Sequence, residues 1–181
     1  MIGASQTNLL PLHCESTRII AAPPDAVFAH LDDHNRLAGH MSQSSWMMAG
    51  SRVNLEYDAA NGRAIGSHIH IRGRVLGIPI HVEEVVTEHE LPLRKVWETI
   101  GTPKLLVLGA YKMGFAIMPQ GTSSLLRVFI DYDLLGPLLT RWLGRLLGDF
   151  YVRWCSESMA KDAAAFFTPS ALQKPQNEAA R

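Results

Sequence analysis

The chain has 181 residues, 47% of them apolar, and its 17 basic side chains are balanced by 17 acidic ones. That length supports one domain with a sizeable core. The charge balance excludes the strongly basic field by which proteins usually hold nucleic acid.

Residues 1–11 are small and polar and read as a flexible tail, as do residues 169–181, leaving a single domain over 12–168. There is no basic stretch followed by an apolar run near the N-terminus, and no uninterrupted apolar run of about 18 residues anywhere, so neither a secretory leader nor a membrane span is expected. The expected location is the cytoplasm, with peripheral membrane contact left open. Cys14 and Cys155 have no metal-type spacing and read as thiols in a reducing compartment.

In chain order, Glu15 to Ala21 reads as a first strand, ended by Pro23 and Pro24. Asp25, Ala26, Val27, Phe28 and Leu31 then predict a short helix. A second short helix and an irregular segment come next, containing Leu37, Met41, Trp46, Met47 and Met48. From Arg52 onward, turn signals recur at Asn61-Gly62, Gly77, Leu91-Pro92, Thr102-Pro103 and Gln120-Gly121, with Asn61-Gly62 marking a tight hairpin. The runs between them, near 52–58, 65–76, 79–90, 94–100, 104–118 and 123–134, predict an antiparallel meander.

Side-chain parity gives each strand one dry face. Ile69, Ile71 and Val75 alternate with His68, His70, Arg72 and Arg74; Leu126, Val128, Ile130, Tyr132 and Leu134 alternate with Arg127, Asp131 and Asp133. The last element, Gly136 to Phe167, reads as one helix about 45 Å long at 1.5 Å per residue. Arg141, Arg145, Asp149, Arg153, Glu157 and Lys161 form its charged stripe, while Leu139, Trp142, Leu143, Leu146, Leu147, Phe150, Trp154, Met159, Ala163 and Phe166 form an apolar side. A sheet with one apolar face should curl around such a helix.

This order, together with "STRIIAAPPDAVFAHLDD", "VTEHELPLRKVWET" and "GTSSLLRVFIDYDL", resembles the START-like or SRPBCC superfamily of polyketide cyclases, lipid-transfer domains and birch-pollen-allergen-like proteins. The resemblance covers about residues 15–167. It implies an α+β helix-grip fold: a curved antiparallel sheet of about seven strands wrapped around a long C-terminal helix, with two short helices after the first strand. It also implies a cavity between sheet and helix for a hydrophobic small molecule. It does not imply a reaction, because function lives in the site and not in the fold.

Tyr111, Met113, Phe115 and Ile117 share a parity, and if they face the helix they either line a cavity or fill a core. Trp97 and Tyr132 carry polar tips that would orient a ligand. Phe150 belongs to the helix's apolar side, and Trp46 with its neighbouring methionines suits a cavity mouth that reshapes around its guest. Strict alternation from Ile80 and Val82 puts Glu84 on the dry face, where its pKa would rise and it could serve as a general acid or base, unless a bulge at Glu83-Glu84 turns it outward. Glu88, on the same parity, would lie near the rim.

The histidines do not form a metal set. His68 and His70 share a face with Arg72 and Arg74, and a turn at Gly77-Ile78 would set His81 opposite Arg74 and Glu83 opposite Arg72; His30, His34 and His40 are irregularly spaced. Gly144 and Gly148 suggest close approach of the last helix to another surface. No cofactor is implied.

The residues thus point to a protein that binds or transports a lipid, isoprenoid or polyketide-like molecule, as a monomer or homodimer. A cyclase or dehydratase using Glu84 or Tyr111 in the same cavity is the enzymatic alternative. A third reading is an interaction module similar to coenzyme Q-binding members, with Leu138 or Trp142 exposed. The first two are separated by whether Glu84 is interior and within hydrogen-bond reach of Tyr111 or Trp97.

Overall fold

The meander from β2 to β7 pairs each strand with its neighbour in sequence, and β1 closes onto β7, giving one seven-stranded sheet in the order β1-β7-β6-β5-β4-β3-β2. The strands are β1 (Leu12–Ile20), β2 (Arg52–Tyr57), β3 (His68–Val75), β4 (Ile78–Glu90), β5 (Arg94–Lys104), β6 (Leu108–Gln120) and β7 (Ser123–Leu134). The helices are α1 (Pro24–Leu31), a single turn α2 (His34–Leu37) and the 27-residue α3 (Arg141–Phe167). The computed structural model describes residues 10–37, 52–75, 77–135 and 141–168, so Trp46, Met41, Met47, Met48, His40, Leu138 and the expected start of the last helix lie outside the described residues. No helix among the described residues is long and apolar enough to cross a membrane.

The curved sheet holds α3 in its concave side, packed mainly on β1 and β7, while α1 packs on β6. Inward side chains follow the expected parity: Ile69, Val82, Val86, Trp97, Phe115, Leu126, Val128 and Ile130 are all buried. The outer face is not uniformly wet. Gly114 lies under the Phe129 ring, where an added Cβ would meet Lys95 O at 2.6 Å and Phe129 Cζ at 2.8 Å. The guanidinium groups of Arg94 and Arg127 stack over that ring at 5.2 and 5.6 Å, so a bare glycine on one strand is roofed by an aromatic from the next.

The face α3 buries includes Met159 and Ala163 of the expected side and otherwise differs from it. Gly148, Val152, Cys155, Ser156, Met159, Ala160 and Ala163 are buried, whereas Leu146, Leu147, Phe150 and Phe166 are half or more exposed. Tyr132 and Leu134 of the sheet project toward the helix, and small residues such as Gly148 and Ala160 let its backbone approach. Gly148 shows this directly: an added Cβ would stand 2.5 Å from Leu134 Cδ2.

Two turns also differ from the sequence expectation. Val75 pairs with Ile78, so the β3–β4 turn lies at 76–77, and His81 opposes Arg72 while Arg74 opposes Pro79. Glu83 opposes His70 and accepts from the ring of His68 at 3.1 Å, in place of the expected pair with Arg72. Asn61-Gly62 lies within a longer loop. Asp58 accepts from Ala60 N at 3.1 Å, Ser67 Oγ at 2.6 Å and His68 N at 3.0 Å, so its carboxylate organises residues 58–68.

On β4 the register against β5 shifts between Val86 and Glu88. This bulge reverses the side-chain parity of the rest of the strand. Glu88 turns to the outer face, where Arg94 reaches it at 2.5 Å and Lys112 at 3.8 Å, and is not on the interior parity. His89 turns inward, packs edge-on against Phe28 at 5.4 Å and donates to Asp32 at 3.0 Å. The fully buried Lys95 also donates to Asp32, at 2.5 Å to Oδ1 and 3.2 Å to the main-chain oxygen. A cation at the end of α1 thus satisfies a terminal carbonyl and ties the helix to the sheet.

Candidate functional site

Glu84 points inward and is only 4% exposed. Although the β4–β5 register shifts between His81 and Glu83, Glu84 keeps the parity of Val82 and Val86, so no bulge turns it out. Tyr111 on β6 donates its phenol to Glu84 Oε1, and the Trp97 indole N–H on β5 also donates to this carboxylate. Neighbouring strands stand about 4.8 Å apart, so two ladder steps put β4 and β6 within reach of one long side chain. Thr99, the pairing partner of Glu84, hydrogen-bonds both Tyr111 N (3.1 Å) and Tyr111 O (3.3 Å) and so fixes the tyrosine backbone where the ladder is interrupted.

From the helix side, Tyr151 and Cys155 face the same carboxylate. Burial raises the Glu84 carboxyl to about 7, against the opposing effect of the hydrogen bonds from Tyr111 and Trp97. Burial likewise raises the Tyr111 phenol, helped by the nearby Glu84 charge, and pushes the Cys155 thiol up to about 12. The result is one carboxyl group that is half ionised near neutral pH among groups that stay protonated. It can give or take a proton there; the phenol and thiol can only donate hydrogen bonds.

The structure brings Glu84, Trp97 and Tyr111 together and separates the other expected residues. Phe115 is fully buried between Phe28 (5.5 Å) and Trp97 (6.4 Å), and Met113 is nearly covered. Tyr132 donates to Asp149 of α3, which makes it a tie between sheet and helix. Phe150 is 52% exposed on the outer side of α3, because the small residues of that helix face the sheet, and it takes no part in the interior. Trp46 lies outside the described residues. Residues not singled out from the sequence are Tyr151, Cys155, Thr99 and Lys95; Thr99 was accessible from its parity with Trp97.

Among the described residues no three His, Cys, Asp or Glu side chains converge as a metal site requires. Cys14 and Cys155 are not joined in a disulfide.

The sequence matches the profile of the family described as polyketide cyclase / dehydrase and lipid transport over residues 11–166. Among curated proteins none matches. Solved structures similar to this chain include TTHA0849 from Thermus thermophilus, 17% identical, covering 87% of this chain and 100% of its own, with a TM-score of 0.59. The Zhui aromatase/cyclase from a Streptomyces species is 14% identical, covers 86% of this chain and 92% of its own, and has a TM-score of 0.62. Major latex-like protein 151 from Panax ginseng is 14% identical, with coverages of 87% and 98% and a TM-score of 0.53. At these identities the structural likenesses establish the fold alone. The family match spans nearly the whole described domain, and the chain therefore belongs to the polyketide cyclase / dehydrase and lipid transport family of the SRPBCC superfamily.

Proposed function

We propose that the protein binds an apolar or amphipathic small molecule between the concave face of the sheet and α3, and that Glu84, Tyr111 and Trp97 meet the polar part of that molecule. The observation that carries this reading is the buried carboxyl group whose hydrogen bonds come from two neutral donors, Tyr111 and Trp97. Such a group destabilises a filled core, where an aliphatic residue would serve better, and its presence calls for a functional reason. Tyr111 and Tyr151 support it: both stand beside Glu84 and neither is fully covered by protein atoms. Apolar ligand area removed from water there contributes about 25 cal/mol per Å², and the family's lipid-transport members share the same architecture.

Titration with the neutral fluorophore N-phenyl-1-naphthylamine tests this. Saturable one-to-one binding, with energy transfer from tryptophan reduced in Trp97→Phe, is the expected outcome. Absence of saturable binding would mean that side chains fill the interior, and the reading would fall.

A second reading, catalysis of cyclisation or dehydration on a polyketide-like substrate, is favoured by the position of the Glu84 carboxyl near neutrality beside a phenol donor. Glu84 would move the proton and Tyr111 would hold the developing oxyanion. Under it, Glu84→Gln keeps fluorophore binding but lowers turnover by about 10²–10⁴. Equal turnover in the two proteins would remove it. The setting proposed for either activity is the cytoplasm, a reducing compartment in which cysteines such as Cys14 and Cys155 remain thiols.

A further inference from the structure

At the far end of the sheet from β1, a pocket of about 150 Å³ is lined by Asp33, His34, Tyr57, Asn61 and Arg63. It is built and not incidental. His34 is only 5% exposed, yet its Nε2 makes no hydrogen bond. The ring is clamped edge-on against Trp97 at 5.0 Å, and the Gly62 backbone closes on its other side. Asn61 and Gly62 are both left-handed, at φ 54° and 70°, and a Cβ on Gly62 would stand 2.8 Å from His34 Cδ2. Only glycine permits that approach. The loop is held in place by Gly62 N donating to Ser67 Oγ at 2.8 Å and Ser67 Oγ donating to Asp58 at 2.6 Å.

The pocket stands on the same row of the sheet as the buried carboxyl. Tyr57 pairs with Ile69, Ile69 with Glu84 and Glu84 with Thr99, which holds Tyr111, so one inward-facing row crosses the sheet from the pocket to the buried carboxyl. Two strand spacings separate Tyr57 from Glu84, about 10 Å. Trp97 joins the two places a second way, touching His34 and donating to Glu84.

The lining is rich in hydrogen-bond donors. Arg63 supplies a guanidinium, Asn61 an amide, Tyr57 a phenol and His34 an imidazole kept neutral first by its burial and then by the Lys95 charge. Asp33 is shared by two cations, Arg36 at 3.6 Å and Arg63 at 3.9 Å, and Asp32 is held by Lys95 at 2.5 Å. Arg36 shares the Asp33 charge, which leaves the Arg63 guanidinium only partly neutralised.

We propose that this pocket is the polar mouth of the interior cavity and takes the carboxylate of an amphipathic acid whose apolar body runs along the sheet and carries a further polar group to Glu84. The proposal rests on the binding function above and adds the ligand's class and orientation. A neutral alcohol or ester could accept some of the same hydrogen bonds but would not use the charge, and an ammonium end would face Arg63.

The test compares 11-(dansylamino)undecanoic acid with its methyl ester, using the dansyl fluorescence rise on entry into an apolar site. A charge-assisted hydrogen bond is worth about 1.5–3 kcal/mol, so the acid is expected to bind about tenfold more tightly than the ester. In Arg63→Gln, an exposed position, the two should bind alike, with an unchanged urea midpoint as the control for folding. Equal binding of acid and ester to the wild type, or an acid preference that survives both Arg63→Gln and His34→Gln, would overturn this inference and leave the cavity intact. Binding of neither probe would instead overturn the cavity reading itself.

Discussion

Glu84 is the residue through which pH should act on this protein. Its folded pKa of about 7 lies above the ordinary carboxylate value of 4.5, so between those two values the folded state binds more protons than the unfolded chain. Stability contributed by this group is therefore fully present below about 4.5, falls as pH rises, and is lost above about 7. The decrement is on the order of 3 kcal/mol. Denaturation in urea at pH 4.5 and pH 8 should show a fall in the wild type that is absent from Glu84→Gln; parallel pH dependence in the two proteins would mean that Glu84 is solvated. Lys95 gives the opposite kind of result. Lys95→Met leaves Asp32 half-buried without its main cation, and a loss of about 3–5 kcal/mol is expected. Both residues show how legible single positions were. Glu84 was readable because strand parity is strict over Ile80, Val82 and Val86, whereas Lys95 was not, since its partner comes from a helix end 63 residues earlier in the chain. His34 was invisible as a site residue for the same reason: its meaning depends on Gly62 and Trp97 closing around it.

Among the elements, the strands followed their sequence pattern apart from β4 beyond Val86, and the last helix followed its own only in part, at Met159 and Ala163. Bulky apolar residues are assigned inward when a helix is read alone, but a helix gripped by a curved sheet is limited by how near its backbone can come. Gly148, Val152, Cys155, Ser156 and Ala160 therefore face the sheet, and Leu146, Leu147 and Phe150 stay outside. A pair of substitutions checks this orientation. Phe150→Ser should change stability by no more than about 0.5 kcal/mol, while the smaller truncation Val152→Ala should cost about 2 kcal/mol. The reverse order in chemical denaturation would mean that the helix is rotated. The bulge in β4 was equally hidden, because nothing in Val86-Thr87-Glu88 distinguishes an added residue from regular alternation, yet it sends Glu88 out and His89 in. Gly114 tests the sheet's outer face. Gly114→Ala puts a methyl group against the Lys95 carbonyl and the Phe129 ring, and overpacking there should cost about 1–3 kcal/mol; an unchanged melting temperature would show that β5 and β6 are looser than described.

For the whole molecule, the order of elements and the alternation of the meander were enough to reach the helix-grip architecture and the superfamily, because each strand's dry face needs a common partner and only the last helix can supply it. What occupies the space between them is a separate matter, since cavity walls and filled cores draw on the same residues. The interior here combines a neutral-pH carboxyl group, two neighbouring tyrosines that protein atoms do not fully cover and a donor-lined pocket along the same row of the sheet. Together these features are what the proposed container with a polar end requires. Native mass spectrometry of the freshly purified protein, with solvent extraction of whatever accompanies it, asks this most directly. A stoichiometric apolar adduct, lost on extraction and carrying a carboxylate, is the expected result. A single empty mass, unchanged after incubation with amphipathic acids, would contradict a ligand cavity between the sheet and α3.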